Sequence, residues 1–185
     1  MDKAFIRGKM KKELANQAQA EIEEKSMEIL KRLTGMDEFI SAKNIFTYVS
    51  AGSEVKTSEI ITTALGQEKA VYCPAIRDGK IVAGVFDGVF DGELVAGKFG
   101  IMEPKQTTDR KDFDLIIVPG LAFDESGMRV GRGGGHFDRF LAEASGKKVA
   151  LTFDFQVVDR IENEPHDVAV DVIITEKRTI HAKKA

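Results

Sequence analysis

The feature that most restricts this chain is a set of short runs with almost no polar interruption. Leu115-Ile-Ile-Val118 lies between Asp114 and Pro119, and Val149-Ala-Leu-Thr-Phe153 and Val170-Asp-Val-Ile-Ile174 repeat the pattern further on. Alternating apolar and polar residues mark a strand with one face in water, whereas a solid run marks a strand covered on both faces. Such strands, interleaved with helical segments, predict an α/β chain. Its mainly parallel central sheet would be the middle layer of a three-layer sandwich. At 185 residues the expectation is a single domain spanning 1–185, long enough to bury a real core.

The remaining elements follow from periodicity and breakers. Phe5, Ile6, Met10 and Leu14 recur at helical spacing, and Ile22, Ile29, Leu30 and Leu33 do so after a break near Asn16, with Gly35 as a stop. Asn44–Val49 reads as a strand, and Thr57 as the cap of a helix over Ser58–Leu65 that ends at Gly66. Ala70–Ile76 reads as a second strand and Lys80–Phe90 as hairpin-like strands interrupted by Gly84, Asp87 and Gly88. A short helix is expected from about Phe137 to Ala144. The Lys- and Glu-rich run from Lys9 to Lys31 reads as the solvated faces of two helices.

Composition excludes several classes. An apolar fraction of 43% with 31% charged residues is that of an ordinary globular protein. A net charge of −3 offers no global field for nucleic acid, and Glu13, Glu21, Glu23 and Glu24 interrupt the lysines of the first helices. No stretch approaches the roughly 18 apolar residues of a membrane span. The opening residues, Met-Asp-Lys-Ala-Phe-Ile-Arg, lack the apolar region of a signal peptide. The single cysteine, Cys73, sits in an apolar run and reads as a buried strand thiol. The expected compartment is the cytoplasm.

Chemistry concentrates after the Leu115–Val118 strand. Gly131, Gly133, Gly134 and Gly135 precede a helix, and glycine in that density lets a backbone approach an anion closely. The helix N-terminus adds free N–H donors and partial positive charge. Arg129 and Arg132 supply planar, permanently charged donors suited to phosphate oxygens, and Asp138 follows, where a carboxylate beside phosphates can hold Mg²⁺. The alternative is a glycine-rich surface turn with incidental charges. The Gly-Arg-Gly-Gly-Gly spacing is neither the dinucleotide fingerprint nor a P-loop.

The run from Val118 to Leu141 resembles the signature of the 5-formyltetrahydrofolate cyclo-ligase family, a Pro-Gly-x-x-Phe-Asp segment followed by Gly-x-Gly-x-Gly-Tyr-Tyr-Asp. Lys3-x-x-x-Arg7 resembles the family's basic pair on its first helix, and Ser53–Ile60 its acidic segment after the first strand. Phe99–Pro104 resembles its Gly-Ile-x-Glu-Pro turn, and Asp167 falls where the family has an aspartate.

This resemblance implies an ATP- and Mg²⁺-dependent ligase that closes 5-formyltetrahydrofolate to 5,10-methenyltetrahydrofolate, with no obligate protein partner. It implies ATP contacts from Lys3, Arg7, Arg129, Val130, Gly131, Arg132, Gly133, Gly134, Gly135, His136 and Phe137. Val49 and Glu54 would lie in the folate pocket with Arg132 and His136, and Asp138 and Asp167 would serve Mg²⁺. Arg132 and His136 would act on the reacting groups. Without the resemblance, Lys3 and Arg7 read as surface charge and Asp167 as a turn residue. Two rivals stay open at this level: another phosphate-handling α/β enzyme, and an inactive folate- or nucleotide-binding module. One departure stands out. His136-Phe137 replaces the family's Tyr-Tyr, removing both phenolic hydroxyls. Histidine keeps a polar contact and has a reference pKa of about 6.5.

Overall fold

The computed structural model describes residues 2–86, 94–97 and 102–183. Helix α1 (Lys3–Ala15) starts behind Asp2, whose carboxylate accepts the Phe5 N–H at 3.4 Å, and buries Ile6, Met10 and Leu14. The break falls at Asn16, and α2 (Gln19–Thr34) buries Ile22, Ser26, Ile29 and Leu33. Phe5 departs from the stripe its spacing suggests and is 63% exposed. It precedes Ile6 by one residue, about 100° round the helix, which turns it off the core face. A further turn, α3 (Asp37–Ser41), buries Phe39.

Strand β1 (Asn44–Phe46) is shorter than its sequence suggests, and beyond it the Thr47 N–H still bonds Tyr72 O. Helix α4 (Ser58–Gly66) has Thr57 at its N-cap, but the hydroxyl does not cap it. Thr57 Oγ1 donates to Tyr48 O at 2.7 Å and accepts the Ser50 N–H at 3.0 Å, so the residue serves the preceding loop instead. Strands β2 (Ala70–Arg77) and β3 (Lys80–Phe86) form a hairpin about Asp78-Gly79, both at positive φ, the geometry that Asp-Gly favours. The rest of the predicted Lys80–Phe90 region, Asp87–Phe90, lies outside the described residues.

The chain continues through β4 (Leu94–Ala96), β5 (Met102–Pro104), β6 (Thr107–Thr108), β7 (Asp112–Val118), β8 (Ala122–Asp124) and β9 (Arg129–Val130). Then come α5 (His136–Glu143), β10 (Ser145–Leu151), a 3₁₀ turn at Asp154–Gln156, β11 (Val157–Val158), β12 (Val172–Ile174) and β13 (Thr179–His181). The main sheet has the order β13-β12-β10-β7-β1-β2-β3-β6. Its five central strands, β12 to β2, are parallel, with antiparallel partners at both edges.

The solid apolar runs divide by parity between two cores. Leu115 and Ile117 of β7 join Ile45 and the apolar faces of α1–α4 on one side of the sheet. Ile116 and Val118 join Phe46 and the Phe140 and Leu141 side chains of α5 on the other. That is the predicted α/β sandwich, helices on both faces of a mainly parallel sheet. Cys73 is fully buried and burial pushes its thiol up to about 12, so it packs as an inert apolar group. Among the described residues, no helix is long and apolar enough to cross a membrane.

The sheet order also locates a crevice. From β1 the chain moves outward to β2, then returns to lay β7 on the other side of β1. Ligands in parallel α/β sheets bind outside the carboxyl ends of strands at such a reversal. The segments leaving those two ends are residues 47–57 and 119–135.

Candidate active site

Both segments carry candidate residues. After β1 the chain folds back on itself through its own hydrogen bonds. Tyr48 Oη donates to Val55 O at 3.2 Å, and Ser50 and Thr57 exchange N–H to hydroxyl bonds. Glu54 sits at its turn, where Oε2 accepts the Ala51 N–H at 2.9 Å. Val49 is half-buried against the main core. Leu14, Tyr48, Glu54, Val55, Pro119 and Gln156 surround a small pocket at this end of the sheet. Burial, and to a lesser extent the Glu54 charge, push the Tyr48 phenol well above its ordinary range.

The glycine loop leaves β9 and enters α5. Gly133 and Gly135 have φ of +111° and +62°, conformations that favour glycine, and Gly135 is the N-cap of α5. Helix α1 docks onto this loop. Arg7 Nε donates to Gly131 O at 3.0 Å, and a Cβ on Gly133 would stand 3.8 Å from the same nitrogen. One turn earlier, Lys3 Nζ meets Asp167 Oδ2 at 2.5 Å. The i, i+4 spacing places both cations on the face of α1 that borders the loop. Arg132, on the loop itself, is exposed and reaches across to Glu54 Oε1 at 2.6 Å. This contact joins the loop after β7 to the loop after β1.

Arg129 has a different environment from Arg132. Its side chain is only 4% exposed, and it donates to Asp138 Oδ1 at 2.6 Å and to Pro119 O at 3.3 Å. It also lies over the Phe137 ring, 5.6 Å from the centroid. A Cβ on Gly131 would come within 2.9 Å of Arg129 Nη1, so the guanidinium lies directly against the loop. Val130 is fully buried with its side chain in the main core, and its carbonyl accepts the Leu121 N–H. Phe137 packs edge-on to Phe46 and Phe140.

His136 begins α5, with Nδ1 3.1 Å from Gly79 O and 2.9 Å from Arg139 Nη2. One nitrogen cannot donate to the carbonyl and accept from the guanidinium at once, so the two contacts belong to different tautomers. With Nδ1 protonated, the β2–β3 hairpin tip closes against the loop through this residue. The sequence gives no sign of that contact.

The two aspartates stand apart in their partners. Asp138 pairs with Arg129, and Asp167 with Lys3 and the Glu164 N–H. Burial pushes Asp167 up, but the hydrogen bonds from Lys3 and Glu164, with the charges of Lys3 and His166, outweigh it. Its carboxyl is held below the usual range. Among the described residues, no three His, Cys, Asp or Glu side chains converge as a metal cage. Mg²⁺ beside a nucleotide needs only one or two carboxylates, with phosphates and water as its other ligands. Either aspartate fits that donor set.

Nothing in the sequence singles out Tyr48, Gln156 or Asp124. An isolated Tyr or Gln has no local signature, and only the fold brings these two to the pocket beside Glu54. Asp124 appears in the sequence only as the end of the Pro119–Asp124 segment.

Comparison with known proteins identifies the family. Residues 1–176 match the model of the 5-formyltetrahydrofolate cyclo-ligase family. The 5-formyltetrahydrofolate cyclo-ligase of Mycolicibacterium smegmatis is 36% identical over 77% of this chain and 78% of its own length. A mitochondrial 5-formyltetrahydrofolate cyclo-ligase of Arabidopsis thaliana is 34% identical over 74% of this chain and 60% of its own. The solution structure of Aquifex aeolicus 5,10-methenyltetrahydrofolate synthetase superposes with a TM-score of 0.87 at 31% identity, covering 99% of this chain and 94% of that one. A family match over nearly the whole length, with the glycine loop and basic helix in place, leads to one conclusion: the chain belongs to the 5-formyltetrahydrofolate cyclo-ligase family of enzymes.

Proposed function

We propose that this enzyme uses ATP to close 5-formyltetrahydrofolate to 5,10-methenyltetrahydrofolate, releasing ADP and phosphate. The observation that carries the reading is the pairing of two unlike half-sites. One is a glycine loop bordered by Lys3 and Arg7, and the other is the carboxylate of Glu54, reached from that loop by Arg132. Cations and backbone N–H groups suit phosphates. A carboxylate suits the adjacent N–H donors of a pterin.

The formyl oxygen is a poor leaving group, so closure requires its activation. In the proposed sequence that oxygen attacks the γ-phosphorus of ATP and the bond to ADP breaks, giving a phosphorylated imidate. The second folate nitrogen then attacks the formyl carbon and loses its proton. The former formyl oxygen departs within inorganic phosphate, leaving the methenyl bridge. No side-chain nucleophile takes part. Lys3, Arg7 and the loop amides hold the phosphates, and Arg132 stabilises charge between formyl oxygen and γ-phosphate. Lys3 exchanges its Asp167 partner for phosphate as the nucleotide enters. Mg²⁺, when bound, would neutralise phosphate charge, with Asp138 and Asp167 as its protein ligands. Phe137 supplies an apolar wall, and His136 fixes the hairpin tip beside the reacting groups.

The deciding experiment is incubation with 5-formyltetrahydrofolate, Mg²⁺ and ATP while following the absorbance of the methenyl product. Product that depends on all three supports the reading. A folded protein that binds folate without forming product would be a binding module.

A further inference from the structure

Asp124 is the most enclosed carboxylate near the site, and the proposed chemistry does not use it. It ends β8 and is 2% exposed, yet it accepts four hydrogen bonds, all from neutral donors. Oδ1 takes the Ser126 N–H at 3.0 Å, the Ser126 hydroxyl at 2.6 Å and the Met128 N–H at 3.1 Å. Oδ2 takes the Ile161 N–H at 2.8 Å. The two oxygens therefore hold different segments of chain.

Those segments lead to opposite sides of the phosphate site. Asp124 lies in the middle strand of the three-stranded sheet β11-β8-β9. On one side, the Ser126–Met128 turn feeds β9, whose last residue, Val130, is followed directly by Gly131 and the loop. On the other, β11 pairs in parallel with β8, with Val158 opposite Asp124. The chain then passes through buried Ile161 to Glu164 and Asp167, the partner of Lys3. Helix α1 spans the gap, with Arg7 on Gly131 and Lys3 on Asp167.

We infer that Asp124 is a positioning residue for the nucleotide. One buried carboxylate sets the spacing between the glycine loop and the Asp167 segment, and with it the spacing of the groups that receive the phosphates. The folate end is not fastened this way, because the Glu54 loop is held by bonds among Tyr48, Ser50, Ala51, Val55 and Thr57. Asp124 thus acts first on the nucleotide, and reaches the folate end only through the exposed Arg132–Glu54 contact. This inference rests on the ATP-dependent reading above.

Asp124→Asn separates the two oxygens. Three donors on the Oδ1 side favour the amide oxygen there, which leaves the amide N–H groups facing the Ile161 N–H. A buried donor opposed by another donor costs about a tenfold factor or more in the equilibrium that holds it. The expected result is a KM for ATP raised about tenfold and a weakened thermal shift with Mg-ATP, with the KM and thermal shift for 5-formyltetrahydrofolate within about twofold of wild type. Ser126→Ala removes one of three donors from Oδ1 and should raise the ATP KM about two- to fivefold, again selectively. If Asp124→Asn does not fold, Ser126→Ala decides. Equal changes for both substrates, or no change for either, would overturn the inference. A wild-type protein that forms no methenyl product and gains no stability from Mg-ATP would instead overturn the ATP-dependent reading, before any variant is compared.

Discussion

Lys3 and Asp167 stand 164 residues apart in the chain and 2.5 Å apart in the fold. Their contact fastens the first turn of α1 to the segment that precedes β12, at the border of the glycine loop. Because the folded carboxyl is held below its ordinary value, the pair stabilises the protein above the unfolded aspartate pKa of about 4 and loses that contribution as pH falls through the folded value. Asp167→Asn should destabilise by about 1–3 kcal/mol at pH 7. The difference from wild type should shrink on acidification below about pH 4. Urea denaturation at pH 7, 5 and 3 measures it, and a constant gap would disconnect the carboxyl's charge from the fold.

Arg132→Ala should raise the KM for ATP and lower turnover while leaving the melting temperature near that of wild type. Arg132 is exposed, so the fold does not depend on it, whereas charged hydrogen bonds to phosphate carry roughly ten- to a hundredfold in affinity or rate. Steady-state kinetics with varied ATP makes the test, and an unchanged ATP dependence would return Arg132 to the solvated surface.

Glu54→Gln should weaken folate binding far more than ATP binding. The amide oxygen can keep the Ala51 N–H, so the loop survives while the charge offered to pterin donors is lost. Direct binding measurements for each ligand separate the cases. Equal losses would mean that Glu54 acts chiefly through its bond to Arg132.

Asp138→Asn should move the Mg²⁺ requirement upward, with activity partly recovered at high metal. It should also lower stability, because Arg129 is 4% exposed and would keep a buried charge without its counter-ion, at about 3–5 kcal/mol. A metal titration and a thermal melt read the two effects separately. If only the melt changes, Asp138 serves Arg129 rather than the metal.

His136→Tyr should retain more activity than His136→Ala. Tyrosine restores the hydroxyl common in the family at this position, whereas alanine removes both the polar atom and the contact with Gly79. Initial rates at saturating substrates rank the three proteins. Equal rates for alanine and wild type would make the histidine a bystander.

Much of this was legible in the sequence because it depended on local pattern. Leu115–Val118 shows by its unbroken apolarity that both faces are covered, and the two cores on either side of β7 are the reason. Gly131–Gly135 carried its conformational requirement openly, and Lys3 and Arg7 their shared helix face. What escaped depended on partners distant in sequence. Thr57 looks like a helix cap in any local window, yet its hydroxyl is committed to Tyr48 and Ser50. Arg129 and Arg132 both read as phosphate-binding arginines of the glycine-rich segment, but one lies beneath the loop and the other is exposed. Asp124 reads only as the end of the Pro119–Asp124 segment, and its bond to Ile161 goes with the β11–β8 pairing.

The seating of β1 between β2 and β7 bears on how the protein is born. During synthesis β1 and β2 can pair early, but the other flank of β1 stays bare until β7 has emerged, and β10 and β12 later still. Helix α1 is made before the other described elements, yet its two cations find Gly131 and Asp167 only when the chain has been made as far as those residues. Contacts between such distant segments slow folding, and a nascent chain with an unpaired central strand is open to misassociation. The proposed nucleotide site is therefore among the last parts to form, and on that reading tight nucleotide binding reports a chain whose α1, glycine loop and Asp167 segment have all come together.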